Sequence, residues 1–156
     1  MIRPEKLLDV DVLILCGGFG NRLRDVVKDK PKCLVPINGK PFIDILLDDY
    51  IEQGLNRFVL CVGHLHEKII EYLKGRINCE IIYSIENNPL GTGGAIKKAI
   101  PFIESDNIVI ANGDSICTVN YLRLMKYHCG KTSDFTMVLS EDCLLYTSDA
   151  ADEEDS

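Results

Sequence analysis

One stretch near the amino terminus restricts the fold of this chain more than any other. Residues 15–23 read LCGGFGNRL and continue a short apolar run, residues 12–15, of the kind that forms a buried β-strand. Glycine lets the backbone adopt positive φ values and approach an anion, while its free N–H groups and nearby cations attract that anion. The cations here are Arg22 and, a short way downstream, Lys32. The pattern predicts a strand that leads into a polyphosphate-binding loop, and a nucleotide is the first ligand to consider.

The spacing of the glycines disfavours two familiar nucleotide-binding loops. The P-loop pattern Gly-x-x-x-x-Gly-Lys-Ser/Thr is absent, and the Gly-Lys pair at residues 39–40 is followed by Pro41. The dinucleotide fingerprint Gly-x-Gly-x-x-Gly is also absent, because Leu23 stands where Gly18 and Gly20 would require a third glycine. A P-loop ATPase and a dinucleotide-binding oxidoreductase are therefore disfavoured.

Strand-like and helix-like segments alternate along the chain. Apolar runs predict strands at residues 12–16, 57–62, 79–84 and 108–111, with a fifth at residues 135–139. Helical spacing of apolar residues predicts helices between Pro41 and Gly54, from about residue 65 to Gly75, at residues 93–99 and at residues 121–128. Such alternation with short connections predicts an α/β fold with a mostly parallel sheet and right-handed crossovers.

Open parallel sheets bind their ligands beyond the carboxyl ends of the strands. Three clusters of polar and glycine residues fall at such positions. The glycine loop follows the first strand, residues 86–94 follow the third, and Asp114 follows the fourth. We therefore expect these separate segments to converge on one crevice.

Four motifs, in this order along the chain, resemble the signature of the sugar-1-phosphate nucleotidyltransferases, also called nucleotide-sugar pyrophosphorylases. They are GGFGNRL at residues 17–23, PKCLVPINGKP at 31–41, ENNPLGTGGA at 86–95 and NGD at 112–114. The resemblance covers most of residues 11–140. It implies a Rossmann-like three-layer α/β fold with a mostly parallel sheet.

Within this family, the chain looks most like the heptose-1-phosphate guanylyltransferases, through residues 24–29 and 83–95. It departs from the common pattern at Asn21, where threonine is more frequent, and at Cys33, where proline is more frequent. Both replacements are small and lie beside the key residues, so the implied roles of those residues stand.

The resemblance implies that an oxygen of a sugar 1-phosphate attacks the α-phosphorus of a nucleoside triphosphate and that pyrophosphate leaves. Such a transfer needs alignment and charge neutralisation rather than a covalent nucleophile. Backbone N–H groups at Gly17, Gly18 and Gly20 would hold the phosphates. Arg22 would bind the departing pyrophosphate through its fork of donors, and Lys32 would add a point charge.

Asp114 is the candidate ligand for Mg²⁺. Together with Arg22 and Lys32 it forms the candidate catalytic set. A magnesium ion that bridges phosphates is usually held by one or two carboxylates plus water, and an aspartate at the end of an apolar strand suits that role. A turn or helix N-cap aspartate is the alternative interpretation. The family normally supplies a second acidic ligand and a sugar-phosphate lysine from later in the chain, and we expect both beyond residue 142.

Glu86 favours GTP as the nucleotide. The pairing edge of guanine presents two adjacent donors that a carboxylate can accept, whereas uracil and thymine offer an acceptor-donor-acceptor edge that suits an amide. A solvated turn residue is the alternative interpretation of Glu86. Gly91 and Gly93, with Thr92 between them, would let the backbone lie against the base or ribose, although the same glycines could simply open a helix.

Residues 143–156 are set apart from the rest of the chain. Residues 143–153 resemble, residue for residue, a translated transposase-type sequencing adapter, and such segments are excluded from fold reasoning. An ordinary acidic tail is the alternative. We expect residues 1–142 to be the N-terminal nucleotide-binding part of a nucleotidyltransferase domain that is incomplete at its C-terminus, and residues 143–156 to be a non-native disordered tail. The chain as given should then turn over weakly or not at all.

Charge and composition narrow the class of partner. The 156-residue chain carries a net charge of −7, but residues 143–156 hold five acidic residues and no basic ones, so the remainder has 17 basic and 19 acidic residues. Without a basic run, we expect no binding of nucleic acid or an anionic membrane. The seven cysteines include no Cys-x-x-Cys pair, which indicates reduced thiols and a cytoplasmic protein. The apolar runs are shorter than the roughly 18 residues of a membrane helix, so we expect no membrane span.

Three functions from different classes stay open at this point. Guanylyl transfer to a heptose 1-phosphate leads, with a mannose-1-phosphate guanylyltransferase or a sugar-phosphate uridylyl- or thymidylyltransferase as close alternatives. A non-catalytic nucleotide-binding regulatory homologue is second, although the intact Arg22, Lys32 and Asp114 argue against it. A dinucleotide-binding oxidoreductase is third.

Overall fold

The computed structural model describes residues 9–17 and 30–139. In chain order the strands are β1 (Asp11–Leu15), β2 (Pro36–Ile37), β3 (Lys40–Pro41), β4 (Arg57–Val62), β5 (Glu80–Ile85) and β6 (Ile108–Asn112). The helices are α1 (Phe42–Glu52), α2 (His66–Leu73), α3 (Gly91–Ala99) and α4 (Tyr121–Gly130), and short 3₁₀ turns lie at Lys32–Leu34 and Ile100–Phe102. Strands β2 and β3 pair as a small antiparallel hairpin, and the other four form a parallel sheet in the order β5-β4-β1-β6.

Local sequence explains where helix α1 begins and ends. Pro41 precedes the first helical residue, a position at which its fixed φ angle and missing N–H cost nothing. Gly54, with a φ of +93°, terminates the helix region in a conformation that side chains other than glycine rarely adopt. Between these limits the buried side chains recur at helical spacing and face the sheet: Ile43, Leu46, Leu47 and Tyr50.

The side chains of the sheet divide the molecule into three layers. Successive residues of a strand point to opposite faces. Val12 and Ile14 of β1 pack into a large cluster with buried side chains of α1, α2 and α4. Leu13, between them, packs on the other face against Ala95 and Ala99 of α3. The predicted three-layer α/β fold with a parallel sheet is confirmed.

The strand order reverses at β1, and this reversal creates the binding edge of the sheet. After β1, the chain adds β4 and then β5 outward on one side, whereas β6 returns to the other side of β1. Leu15, the last residue of β1, is in register with Cys61 of β4 and with Asn112 of β6. Strands β1 and β6 therefore end side by side, and the segments that follow them start from the same edge of the sheet. Open α/β sheets bind their ligands at this edge, where the strand order reverses.

The opposite, amino-terminal edge of the sheet is stabilised by a largely buried ion pair. Arg57 contacts the carboxylate of Asp11 at 2.8 Å, and the same carboxylate oxygen accepts the backbone N–H groups of Glu104 and Ser105 at 2.7 and 3.2 Å. Burial alone would raise the pKa of Asp11, but the hydrogen bonds from the Glu104 N–H, Arg57 and the Ser105 N–H outweigh it and lower that pKa. This contact joins β1 and β4 to the loop that precedes β6.

Four of the five predicted strands, now β1, β4, β5 and β6, are confirmed, and so are the four predicted helices. Their ends differ from the predicted ones by up to two residues. The fifth strand, predicted at residues 135–139, is wrong: these residues form no strand in the described part of the chain. Apolar composition alone suggested a strand there, but a strand also needs a backbone partner and a buried face. The side chains of Phe135, Met137 and Leu139 are instead more than 60% exposed.

Within residues 9–17 and 30–139, every helix is too short or too polar to cross a membrane.

Candidate active site

A cavity of about 370 Å³ lies at the carboxyl edge of the sheet, where the strand order reverses. Of the residues that the sequence analysis selected, the lining includes Gly17, Lys32, Glu86, Gly91, Thr92 and Asp114. Gly93 lies in the first turn of α3 but is not part of the lining. Gly18, Gly20 and Arg22 lie outside the described residues. The expected convergence of separate segments on one crevice is therefore observed for six of the candidates.

Close backbone packing forms the floor of this cavity. The N–H of Gly113 donates to the carbonyl of Leu15 at 2.9 Å, which extends the β1–β6 pairing past the end of both strands. A Cβ atom on Gly113 would lie 2.5 Å from the Cys16 sulfur and 2.9 Å from the Leu15 carbonyl oxygen, distances at which atoms collide. A side chain at residue 113 would therefore collide with the end of β1. Because glycine has none, the backbone at Gly113 can lie against β1, and Asp114, the next residue, lies near the end of that strand.

A second close approach forms the wall on the β4 and β5 side. A Cβ atom on Gly63 would lie 3.3 Å from the carbonyl oxygen of Gly17, and a Cβ atom on Gly17 would lie 3.3 Å from Oε1 of Glu86. The residues that follow β1, β4 and β5 are thus in close contact: Gly17 after β1, Gly63 after β4 and Glu86 after β5. Sequence reasoning selected Gly17 and Glu86 but missed Gly63, whose neighbours are distant in the chain.

Lys32 and Asp114 both line the cavity and form an ion pair. The Lys32 Nζ atom lies 2.7 Å from Oδ2 of Asp114, although the two residues are 82 positions apart in the chain. Their side chains are 41% and 47% exposed. A solvent-exposed ion pair of this kind contributes about 0–1 kcal/mol to stability, so its groups can exchange partners at little cost. The arrangement offers one cation and one carboxylate to an incoming ligand.

The two carboxylate oxygens of Glu86 have different surroundings. Its backbone N–H donates to Val62 at 2.7 Å and continues the β4–β5 pairing, while Oε2 accepts the N–H of Leu90 at 3.2 Å across the following turn. The other carboxylate oxygen, Oε1, lies against Gly17. One carboxylate oxygen thus has a contact within the turn, and the other lies beside Gly17 in the cavity lining.

The amino end of α3 also reaches the cavity, through Gly91 and Thr92. Gly91 has a φ of +67°, and the helix has neither a side-chain cap nor an acidic residue in its first turn. The first N–H groups of a helix have no partner within the helix and carry partial positive charge. This end of α3 can therefore donate hydrogen bonds to a polar or anionic ligand.

Two cysteines line the same cavity, and sequence reasoning gave neither of them a role there. Cys33 follows Lys32 and is buried, and Cys16 precedes Gly17 and is half-buried. A hydrogen bond to Cys33 and burial raise the pKa of the Cys16 thiol. The same hydrogen bond lowers the pKa of Cys33, although burial opposes this change.

The donor set of the cavity fits a magnesium ion that arrives with a substrate. Among the described residues, no cluster of three or more histidine, cysteine, aspartate or glutamate side chains could hold a metal ion. Asp114, however, presents a carboxylate at the cavity beside a cation that can give way. Mg²⁺ is commonly held by one or two carboxylates together with substrate phosphates and water, so the residues present fit this ion.

Comparisons with known proteins agree with this geometry. Residues 11–143 match the family described as nucleotidyl transferase. The chain is 40% identical over 131 residues to a D-glycero-alpha-D-manno-heptose 1-phosphate guanylyltransferase from Aneurinibacillus thermoaerophilus, a match that covers 83% of this chain and 57% of the relative. A protein of the same description from Campylobacter jejuni is 40% identical over 116 residues, which is 74% of this chain and 52% of the relative.

A solved structure gives the same result in three dimensions. HddC from Yersinia pseudotuberculosis, crystallised as a complex with GMP-PN, superposes with a TM-score of 0.67 at 41% identity and covers 76% of this chain and 54% of that one. The chain spans about half the length of the relatives it matches. With a family match over residues 11–143, the chain belongs to the nucleotidyl transferase family.

Proposed function

We propose that the protein transfers a guanylyl group from GTP to a heptose 1-phosphate and releases pyrophosphate, and that this chain carries its nucleotide-binding part. The observation that supports the proposal most directly is the convergence of Gly17, Lys32, Glu86, the amino end of α3 and Asp114 on one cavity at the reversal of strand order. The printed descriptions of the Aneurinibacillus and Campylobacter relatives support the choice of substrates.

The residues of the cavity suit a triphosphate and its magnesium ion. The Gly17 N–H and the Lys32 ammonium would contact phosphate oxygens, and Gly18, Gly20 and Arg22 keep the phosphate-binding roles that the sequence predicts for them. Asp114 would hold Mg²⁺, which when bound neutralises phosphate charge and activates the α-phosphorus as an electrophile. Alignment of the attacking sugar-phosphate oxygen with the leaving pyrophosphate supplies the rest of the catalysis.

Base selection falls to Glu86 in this proposal. Its Oε2 atom is engaged by the Leu90 N–H, which fixes the orientation of the carboxylate, and Oε1 lies on the cavity side against Gly17. A fixed carboxylate accepts the N–H donors of guanine and repels the carbonyl oxygens of uracil and thymine. Gly91, Thr92 and Gly93, at the amino end of α3, would contact the base or ribose.

The sugar 1-phosphate requires residues outside the nucleotide cavity. We propose that residues 1–142 form the nucleotide-binding part of the domain, that residues 143–156 do not take part in it, and that the second metal ligand and sugar-binding residues belong to a longer protein. A nucleotide-linked heptose of this kind would be made in the cytoplasm for cell-surface polysaccharide.

Two measurements test the proposal. The first is calorimetric binding of GTP, UTP and dTTP to the present chain with and without Mg²⁺, for which we expect GTP to bind most tightly and Mg²⁺ to increase its affinity. The second is pyrophosphate release by a version extended to the length of its relatives, with heptose 1-phosphate, mannose 1-phosphate and glucose 1-phosphate as acceptors. Fastest release with GTP and heptose 1-phosphate is expected. Tight GTP binding with no release for any pair would favour the non-catalytic regulatory homologue, and absence of nucleotide binding would contradict the proposal.

A further inference from the structure

The turn between β4 and α2 lies directly behind one wall of the cavity. Gly63, the residue after β4, packs against the backbones of Gly17 and Glu86. A Cβ atom on Gly63 would lie 3.3 Å from the carbonyl oxygen of Gly17 and 3.9 Å from that of Glu86. Gly63 is not part of the lining, whereas Gly17 and Glu86 both are. The position of the Gly63 peptide therefore limits where two lining residues can lie.

His66, the first residue of α2, contacts the carbonyl oxygen of Gly63 through two of its nitrogens. The backbone N–H of His66 donates to this oxygen at 3.1 Å, and Nδ1 of the imidazole ring lies 2.9 Å from the same oxygen. A carbonyl oxygen can only accept hydrogen bonds, so Nδ1 carries a proton in this contact. The His66 side chain is 25% exposed, which limits the access of competing water. Two donors from one residue thus fix the orientation of the Gly63 peptide.

The backbone of Leu65, inside this turn, adopts a conformation that leucine rarely takes. Leu65 has φ and ψ values of 59° and 27°, in the left-handed region, and it stands at the start of α2 without a side-chain cap. Such conformations cost free energy, persist only where surrounding contacts impose them, and cluster at binding sites. The two hydrogen bonds from His66 to Gly63 close the turn around Leu65 and so help to impose its conformation.

We propose that His66 is a positioning residue for the nucleotide. Through its Nδ1 hydrogen bond, His66 holds Gly63 against Gly17 and Glu86, and it thereby fixes the Glu86 carboxylate that selects the base. The effect on the position of Gly17 and Glu86 stands independently, whereas the effect on base selection rests on the proposed function.

Two substitutions of His66 separate the hydrogen bond from the bulk of the side chain. Asparagine has its amide nitrogen on Cγ, as histidine has Nδ1, so His66→Asn should keep the bond to Gly63. Glutamine carries its amide one carbon further from the backbone, so His66→Gln should lose this bond. Glu67→Gln is the control for charge, because Oε1 of Glu67 lies 3.5 Å from Nε2 of His66 on a side chain that is 76% exposed.

Amide spectra of the present chain without nucleotide test the positioning itself. In ¹⁵N–¹H correlation spectra, the signals of Gly17 and Glu86 should shift in His66→Gln and keep their wild-type positions in His66→Asn and Glu67→Gln. Unshifted signals in His66→Gln, or equal shifts in His66→Asn, would overturn the proposal. The ring ¹⁵N shifts of wild-type His66 at alkaline pH add a measurement that does not depend on the folding of a variant. They should identify Nδ1 as the protonated nitrogen, and protonation at Nε2 alone would also overturn the proposal.

Competition between GTP and UTP tests the effect on base selection. The ratio of GTP to UTP affinity should fall by about 2- to 13-fold in His66→Gln, the range for loss of one hydrogen bond, and should recover in His66→Asn. In a Glu86→Gln background, His66→Gln should leave the ratio unchanged, because His66 acts through Glu86. A wild-type ratio in His66→Gln, or an equal fall in both backgrounds, would overturn this effect. If the wild type binds no nucleotide, the proposed function fails, while the amide spectra still decide whether His66 positions Gly17 and Glu86.

Discussion

The ammonium group of Lys32 lies 2.7 Å from a carboxylate oxygen of Asp114 at the mouth of the cavity. Each residue serves as the counter-ion of the other when no ligand is present. Under the proposed function, a triphosphate with a bound divalent cation would bring a partner for both at once, since the phosphates would attract Lys32 and the cation would attract Asp114. The exposed ion pair would then be exchanged for two new contacts between opposite charges, and neither Lys32 nor Asp114 would be left without a counter-ion.

The Asp114→Asn substitution should remove the dependence of GTP binding on Mg²⁺. The amide retains the size of the side chain but lacks the negative charge that attracts the cation, so calorimetric titrations with and without Mg²⁺ should give similar affinities. Asp106→Asn is the matched control, because Asp106 is exposed near the opposite end of β6. A Mg²⁺ effect that persists at full size in Asp114→Asn would place the metal elsewhere.

The Glu86→Gln substitution should change the choice of base while it preserves the fold. The glutamine carbonyl oxygen can still accept the Leu90 N–H, but the side chain then presents an N–H donor where Glu86 presents Oε1. A bidentate contact to a base contributes about 1–3 kcal/mol to discrimination, so the ratio of GTP to UTP affinity should fall by about 5- to 150-fold. Competition between the two nucleotides measures this ratio directly. An unchanged ratio would assign Glu86 to the turn alone.

The Gly113→Ala substitution should destabilise the domain at the cavity floor. The new methyl group would lie 2.5 Å from the Cys16 sulfur and 2.9 Å from the Leu15 carbonyl oxygen. Overpacking of this kind costs about 1–3 kcal/mol, which urea denaturation can resolve. Gly75→Ala is the control, since among the described residues no atom beyond its chain neighbours lies within 4 Å of the corresponding position there.

A double variant separates the two collisions at Gly113. Cys16→Ala together with Gly113→Ala removes the collision with sulfur but not the one with the backbone, so stability should recover only in part. Equal stability of Gly113→Ala and the wild type would contradict the packing described for the floor.

The Asp11→Asn substitution should flatten the loss of stability in acid. The folded state lowers the pKa of Asp11, so this group stabilises the fold above the carboxyl pKa of the unfolded chain, about 3.9, and that contribution is lost as the pH falls through the folded pKa. Loss of one partner of a buried ion pair costs about 3 kcal/mol, so the variant should be weaker at pH 7 and differ less from the wild type near pH 3. Urea denaturation at both pH values checks this.

Glu104→Gln is the control for Asp11→Asn. The Glu104 side chain is 77% exposed, and its pairing with Arg57 adds little, while its backbone N–H still donates to Asp11. A Glu104→Gln variant that lost as much stability as Asp11→Asn would assign the effect to surface charge.

Sequence patterns predicted most of the fold because buried parallel strands are continuous apolar runs and α1 is bounded by Pro41 and Gly54. They also placed Gly17, Glu86 and Asp114 together, since the carboxyl ends of parallel strands share one edge. The hairpin of β2 and β3 was missed, although its Asn38–Gly39 turn, with φ values of 50° and 82°, is a recognisable local signal.

Features that depend on distant contacts could not be predicted in the same way. The need for glycine at residues 63 and 113 arises from backbones that approach from other strands. The predicted strand at residues 135–139 failed for the same reason, because local composition does not reveal whether a pairing partner is present.

The two faces of the sheet are packed with side chains of different size, and this difference bears on how the cavity responds to a ligand. Helix α3 is held to the sheet by two buried alanines, Ala95 and Ala99, and the partly buried Ile96, whereas the opposite face carries most of the large apolar side chains. Small side chains bury little apolar area and contribute little to local stability. Among the described helices, we therefore expect the amide hydrogens of α3, whose amino end lines the cavity through Gly91 and Thr92, to exchange faster than those of α1 without a nucleotide. Under the proposed function, nucleotide binding would slow this exchange, so that the dynamics of a single helix would report the occupancy of the site.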